Sequence, residues 1–167
     1  SRFGLEIAYS LEDKPLGTVA PVKLIKDLPE YFFVMNGDLL TDIDYKSLYE
    51  AHIKSSAKLT VATYRRDAMI DFGVMDVDES GRVAGFQEKP TYHFNVSTGV
   101  YVYSRSILDR IPDNEPYSFD KLVLDMLADG DPINTYAHKG YWLDIGRPDD
   151  YEQANLDADK ILGVEGC

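Results

Sequence analysis

Tyr31-Phe32-Phe33-Val34-Met35 is a continuous apolar run that stops at Asn36-Gly37-Asp38, and the reading of this junction decides the fold. A strand that is apolar at every position has both faces covered, the condition of a strand inside a parallel sheet flanked by helices. Open α/β sheets place ligand-binding groups just beyond the carboxyl ends of their strands. Asp38 stands at such an end.

Upstream, Leu5-Glu6-Ile7-Ala8-Tyr9 alternates and predicts a strand, followed by a turn through Lys14-Pro15-Leu16-Gly17. Thr18 then serves as the cap of a helix that has Pro21 in its first turn and runs to about Leu28. Downstream, Asp44 caps a helix over 45–55 that turns Leu48, Tyr49 and Ile53 inward, and 58–64 is rich in β formers. Val74 to Val77 and Val83 to Gln87 make a hairpin around Asp78-Glu79-Ser80-Gly81. A long strand follows over Phe94 to Tyr103, then helices over 106–111 and 118–129 and short strands over 133–138 and 141–143. Pro148 opens a last helix, with acids in its first turn, that extends to about Leu162. This alternation predicts an α/β domain with a mostly parallel, Rossmann-like sheet over 1–167.

Composition narrows the function classes. At 167 residues and 44% hydrophobic content the chain suffices for one domain with a core. A net charge of -12 repels a nucleic-acid backbone, and no basic stripe offsets it, so no nucleic-acid partner is expected. No apolar run reaches bilayer length and no signal-like segment opens the chain, so no membrane contact is expected and the reading is cytoplasmic. Cys167 is the single cysteine, which leaves no disulfide framework or zinc cluster and reads as a free terminal thiol. His52, His93 and His138 lack metal-ligand spacing, and no Ser, His and acid arrangement suggests a nucleophile.

Three short motifs carry the chemistry: Asn36-Gly37-Asp38, Glu88-Lys89-Pro90, and Gly140-Tyr141-Trp142-Leu143-Asp144-Ile145-Gly146-Arg147-Pro148. Taken singly each has a plain structural reading. Asp38 is then a turn aspartate, Glu88 and Lys89 a solvated pair where Pro90 ends a strand, and Trp142 a core residue. In this order, after an apolar strand, the three together resemble the sugar-1-phosphate nucleotidylyltransferases, also called NDP-sugar pyrophosphorylases. The resemblance runs from Leu5 to about Tyr151.

That resemblance implies a GT-A-like nucleotidyltransferase fold with a β-hairpin sugar-binding insertion, a nucleoside triphosphate and a sugar 1-phosphate as substrates, and a role in polysaccharide biosynthesis. It implies that Asp38 and Asp144 jointly hold Mg2+, a hard cation suited to carboxylates. Lys89 would contact the phosphate of the sugar 1-phosphate, and Glu88 would accept hydrogen bonds from sugar hydroxyls. Gly73, Gly99 and Tyr101 would line the sugar pocket, while Glu12, Pro15 and Gly17 belong to the loop along the nucleobase, where Gly17 leaves room for the ring.

The family's glycine-rich Gly-Gly-x-Gly-Thr-Arg-Leu segment and a nearby Pro-Lys do not occur in this sequence. The expectation is therefore an N-terminally truncated domain that lacks the triphosphate cradle and releases no pyrophosphate by itself. The lost first strand would be central, between Leu5–Tyr9 and Tyr31–Met35, leaving Phe32-Phe33-Val34 an open edge that invites altered pairing or self-association. Ser97 stands where mannose-specific guanylyltransferases often carry Asn, which leaves base and sugar open. Two rival readings also stay open: a nucleotide-sugar glycosyltransferase using Asp42-Ile43-Asp44 as an Asp-x-Asp metal motif, and a non-catalytic homologue that senses a nucleotide or sugar. Asp44 as helix cap and Asp42 as loop residue is the plainer account of that tripeptide.

Overall fold

The computed structural model describes residues 4–162, so the Cys167 thiol lies outside the described residues. In chain order the elements are β1 (Tyr31–Met35), β2 (Leu39–Thr41), α1 (Tyr45–Ser55), β3 (Leu59–Met69), β4 (Val74–Val77), β5 (Val83–Gln87), β6 (Thr91–Ser104), α2 (Phe119–Ala128), β7 (Ile133–His138), β8 (Trp142–Asp144) and α3 (Pro148–Leu162). Single 3₁₀ segments occupy Ala20–Leu24 and Arg105–Arg110. The chain divides into two compact units. One comprises the residues up to Asn36 with Asp44–Val61 and Val100–Tyr136; the other comprises Gly37–Ile43, Ala62–Gly99 and the residues from Ala137 onward.

The first unit is built on a sheet in the order β1-β6-β3-β7. β1 runs antiparallel to β6, with Tyr31 opposite Ser104 and Met35 opposite Val100, so the mostly parallel sheet expected from the sequence is corrected to a partly antiparallel one. An all-apolar strand reports that apolar surface is available for burial, whereas strand direction is set by how the chain returns to the sheet. The burial is also less even than the sequence suggests: Phe32 is buried, but Phe33 and Met35 are 37% and 46% exposed. β1 ends the strand order, so its outer edge carries no strand among the described residues. Leu5–Tyr9 forms no strand despite its alternation, and Leu5, Ile7 and Tyr9 remain exposed.

Val19, Leu59, Tyr103, Ile107, Leu122 and Met126 form the fully buried centre of this unit. Each large apolar side chain there stabilises by about 1.5–3 kcal/mol relative to exposure. The loop before the first 3₁₀ segment is stitched to the start of α2. Tyr117 N–H donates to the Leu16 carbonyl at 2.8 Å, and its own carbonyl accepts from the Val19 and Ala20 N–H groups at 3.0 and 3.2 Å. The Thr18 hydroxyl accepts from the Phe119 N–H at 3.0 Å, so Thr18 serves α2 and not a helix of its own. Accordingly the helix expected from Thr18 to Leu28 contracts to the 3₁₀ segment, whose N-cap Val19 supplies no side-chain bond.

Asp44 caps α1 as expected, its Oδ1 accepting from the Ser47 N–H at 3.0 Å. These bonds to Ser47 hold the Asp44 carboxyl below its ordinary range. Leu48 faces inward, but Ile53 is 45% exposed and His52 takes the buried place. The i, i+4 spacing puts Leu48 and His52 on one face of the helix. The His52 ring meets the Thr60 Oγ1 at 2.8 Å and the Ser104 Oγ at 3.0 Å.

In the second unit β2 pairs antiparallel with β8, setting Leu39 opposite Asp144 and Thr41 opposite Trp142. The β4 and β5 hairpin forms as read, its turn tied by Asp78 Oδ1, which accepts from the Ser80 and Arg82 N–H groups. α3 packs on β2 and β8, burying Ala154, and the Tyr141 hydroxyl donates to the Asp157 carboxylate at 2.9 Å. Burial, and then that bond, push the Tyr141 hydroxyl up to about 12.

Burial pushes the His52 imidazole below its ordinary 6.5. The folded state therefore binds a proton less readily than the unfolded chain, and the stability this contributes is present above pH 6.5 and lost as pH falls below it. Urea melts from about pH 7.5 to about pH 5.5 should lose more stability in the wild type than in His52→Gln. Equal losses would assign the acid sensitivity to other groups.

Candidate functional site

The sequence separates Asp38 from Asp144 by most of the chain, and the ladder of β2 with β8 brings their backbones together. The Ile145 N–H donates to the Asp38 carbonyl at 2.8 Å, and Leu39 lies directly opposite Asp144. Both aspartates are exposed, and no hydrogen bond or ion pair among the described residues engages either carboxylate. The ladder is extended by side chains. Tyr141 N–H donates to Asp42 Oδ1 at 2.7 Å, Thr41 Oγ1 donates to the Tyr141 carbonyl at 2.9 Å, and His138 Nε2 lies 3.0 Å from that carbonyl and 3.2 Å from Asp42 Oδ1. A side chain at Gly140 would run into the Asp42 carboxylate. Asp42 and Asp44 are thus both engaged by the fold's own hydrogen bonds, which removes the support for an Asp-x-Asp metal motif.

Asp144 also lines a polar cleft of about 500 Å³, together with Arg66, Trp142, Gly146, Arg147 and Asp150. Trp142 is held in orientation: its indole N–H donates to the Thr98 carbonyl at 2.9 Å, and its ring lies 5.5 Å from that of Tyr64. The Arg66 guanidinium lies over the indole at 5.4 Å, a cation–π contact. Arg66, Arg147 and Asp150 were not singled out from the sequence. A signal existed for Arg66, since adjacent strand residues point to opposite faces and Arg65-Arg66 must split. Arg65 pairs with Asp67 at 3.3 Å, while Arg66 turns to the cleft.

Among the described residues no group of three or more His, Cys, Asp or Glu side chains converges on a metal position. The unengaged carboxylates of Asp38, just before β2, and Asp144, at the end of β8, are oxygen donors of the kind Mg2+ takes, an ion that keeps several waters and draws its remaining ligands from substrate phosphates. They do not fit zinc or a calcium cage, which need more protein ligands.

Elsewhere in the second unit the hairpin gathers Gly73, Glu88 and Lys89. The Lys89 ammonium pairs with Asp71 at 2.8 Å, and Lys89 adopts φ 42°, a left-handed conformation that costs a non-glycine residue about 1–2 kcal/mol. At Gly73 an added Cβ would come within 2.6 Å of the Phe86 ring and 3.4 Å of the Glu88 carboxylate. Gly99 is buried in β6, beside the Thr98 carbonyl that receives Trp142.

The first unit holds the other sites expected from the sequence. Glu12 accepts from the Leu16 N–H at 2.7 Å, closing a loop whose open cleft of about 510 Å³ is lined by Glu12, Lys14, Pro15 and Gly17. Gly17 has φ 84°, and a Cβ there would sit 3.0 Å from the Tyr117 carbonyl oxygen, so the backbone alone accounts for glycine. Tyr101 is 7% exposed and stacks on Phe119 at 4.2 Å, at the side of a cavity of about 310 Å³ that also reaches Thr18, Asn36 and Tyr103.

A family model described as "Nucleotidyl transferase" matches residues 1–161. The chain belongs to the nucleotidyl transferase family. It is 35% identical over 172 aligned residues to a mannose-1-phosphate guanylyltransferase of Mycobacterium tuberculosis, covering 98% of this chain and 47% of that protein. It is 32% identical over 156 residues to the mannose-1-phosphate guanylyltransferase catalytic subunit beta of Drosophila pseudoobscura pseudoobscura, covering 90% of this chain and 42% of the relative. Among solved structures it resembles HddC from Yersinia pseudotuberculosis, with TM-score 0.62, 27% identity, and coverage of 88% of this chain and 64% of that one. HddC has also been solved in complex with GMP-PN, and that structure matches with TM-score 0.61. The chain spans less than half the length of the curated relatives it matches.

Proposed function

We propose that this chain carries the nucleotidyl-transfer chemistry of a sugar-1-phosphate nucleotidylyltransferase. The observation that supports the reading is the backbone adjacency of Asp38, which precedes β2, and Asp144, which ends β8, with carboxylates that the described residues leave unengaged. In the reaction a phosphate oxygen of the sugar 1-phosphate attacks the α-phosphorus of a nucleoside triphosphate. A new P–O bond forms, the bond to the β-phosphate oxygen breaks, and pyrophosphate leaves with that electron pair. Asp38 and Asp144 would hold Mg2+, which when bound neutralises charge on the phosphoryl groups. Lys89 would hold the sugar phosphate as a point charge, and Glu88, beside Gly73, would accept from sugar hydroxyls. Gly99 and Tyr101 would complete the sugar pocket, with Glu12, Pro15 and Gly17 along the nucleobase.

Relatives that are mannose-1-phosphate guanylyltransferases make GTP and mannose 1-phosphate the first pair to assay, although Ser97 leaves the sugar open. A cytoplasmic setting and a place in activated-sugar supply for polysaccharide synthesis accord with such substrates. No helix among the described residues is long and apolar enough to cross a membrane, and the charge of -12 opposes nucleic-acid binding. The outer edge of β1 is the surface we propose for self-association, through the exposed Phe33 and Met35.

In the complete gene product, Asp144→Asn should lower turnover at least about a hundredfold with little change in sugar-phosphate KM, because the charge it balances develops in the transition state. Retained turnover, or an equal rise in KM, would remove Asp144 from the proposed role. Lys89→Ala should instead weaken sugar 1-phosphate binding by about 1–3 kcal/mol in calorimetry and leave triphosphate binding nearly unchanged. Equal losses for both ligands would reassign the lysine. Light scattering of the 167-residue chain should report dimers or larger species that Phe33→Lys returns to monomer, and a wild-type monomer would discard the edge contact.

A further inference from the structure

The cleft beside Asp144 contains a feature that the proposed reaction has not used. Arg66 and Arg147 both line it, and neither guanidinium forms an ion pair or hydrogen bond with an acid among the described residues. In a chain of net charge -12, Arg65 pairs with Asp67, Arg105 with Glu30 and Arg110 with Asp129, whereas Arg66 and Arg147, like the hairpin-turn residue Arg82, hold no acid among the described residues. Two like charges facing one polar cleft repel each other unless an anion separates them. Arg66 is moreover held in place. Its guanidinium rests over Trp142, whose indole is tied by the bond to the Thr98 carbonyl and flanked by Tyr64. A planar fork supported on a fixed ring is preorganised for two-point recognition of a phosphate.

The acids of the cleft define which anion suits it. Asp144 and Asp150 also line it, so the charges of the four side chains nearly cancel. A divalent cation at Asp144 shifts that balance to positive, which favours a phosphate that arrives with or beside such an ion over a simple carboxylate.

We infer that Arg66 and Arg147 form a phosphate-binding pair in the cleft lined by Asp144, and that they hold a phosphate group of one of the nucleotidyl-transfer substrates. The inference rests on the function proposed above. Two sources supply the same chemistry, the pyrophosphate end of the triphosphate and the phosphate of the sugar 1-phosphate.

The test uses the complete gene product with Arg66→Gln, Arg147→Gln and the double variant, and with Arg66→Lys to preserve charge and packing on Trp142 while removing the fork. Inorganic pyrophosphate and mannose 1-phosphate are titrated calorimetrically with Mg2+ and with a chelator, and KM values are measured in both reaction directions. Each Gln variant should weaken one of the two ligands by about tenfold or more, as expected for a lost charge-assisted bond, and leave the other within about twofold. Loss confined to pyrophosphate assigns the pair to the triphosphate end, and loss confined to mannose 1-phosphate assigns it to the sugar phosphate. Arg66→Lys should fall between wild type and Arg66→Gln while melting at the wild-type temperature. Folded Gln variants that bind both ligands as the wild type does would overturn the inference even where transfer is robust. A wild type that binds pyrophosphate in an arginine-dependent way yet transfers no nucleotide would defeat the proposed function and leave the phosphate pair standing.

Discussion

The peptide of Tyr141 is gripped from both sides by residues about a hundred positions earlier in the chain. Its N–H donates to the Asp42 carboxylate, and its carbonyl accepts from Thr41 Oγ1, contacts that span 99 and 100 residues. His138 closes the group by facing both that carbonyl and Asp42. A three-residue ladder such as that of β2 with β8 is weak alone, because short two-stranded pairs are marginal in water. Charge-assisted bonds at its end supply the missing hold. Everything proposed for Asp38 and Asp144 depends on this clasp, since it sets the register that puts Leu39 opposite Asp144.

The same clasp explains how residues of ordinary appearance divide their tasks. Asp42 and Asp144 both stand next to short strands in the same unit, yet one carboxylate is consumed by backbone and histidine while the other opens to a cleft. Trp142, immediately after Tyr141, is neither a plain core residue nor a free surface ring. Its indole N–H is committed to the Thr98 carbonyl, and one ring face is left for Arg66. One wall of the cleft, Trp142 with Arg66 resting on it, is thus oriented before any ligand arrives, the condition under which polar recognition costs least reorganisation.

In the first unit the organising element is the carbonyl of Tyr117, which accepts two N–H groups of the Gly17 loop. Gly17 is required there by a left-handed φ and by the approach of that carbonyl, so its glycine identity carries no separate information about a nucleobase. Opposite in character is the edge of β1, where Phe33 and Met35 are exposed and the alternating Leu5–Tyr9 segment forms no ladder. β1 has the apolar content of an interior strand, and the exposure of Phe33 and Met35 on this end strand marks where the sheet is open to further pairing.

Sequence by itself determined the features whose causes are local. The Asp44 cap of α1, the Asp78 turn of the β4 and β5 hairpin, the start of α3 at Pro148 and the apolar strand β1 each follow from neighbours within a few positions, and each is where the pattern placed it. The motifs around Asp38, Lys89 and Asp144 also identified the family before any geometry was available. Tertiary structure decided what depends on partners distant in the chain. Whether Thr18 caps its own helix or α2, whether His52 or Ile53 turns inward, whether β1 runs parallel or antiparallel to its neighbour, and whether Leu5–Tyr9 pairs at all are questions about a second segment, on which local propensity is silent. The convergence of Arg66 and Arg147 on the cleft of Asp144 belongs to this second class. Their positions in the chain are 66 and 147, one on β3 and one before α3, and the fold brings both to the lining of one cleft.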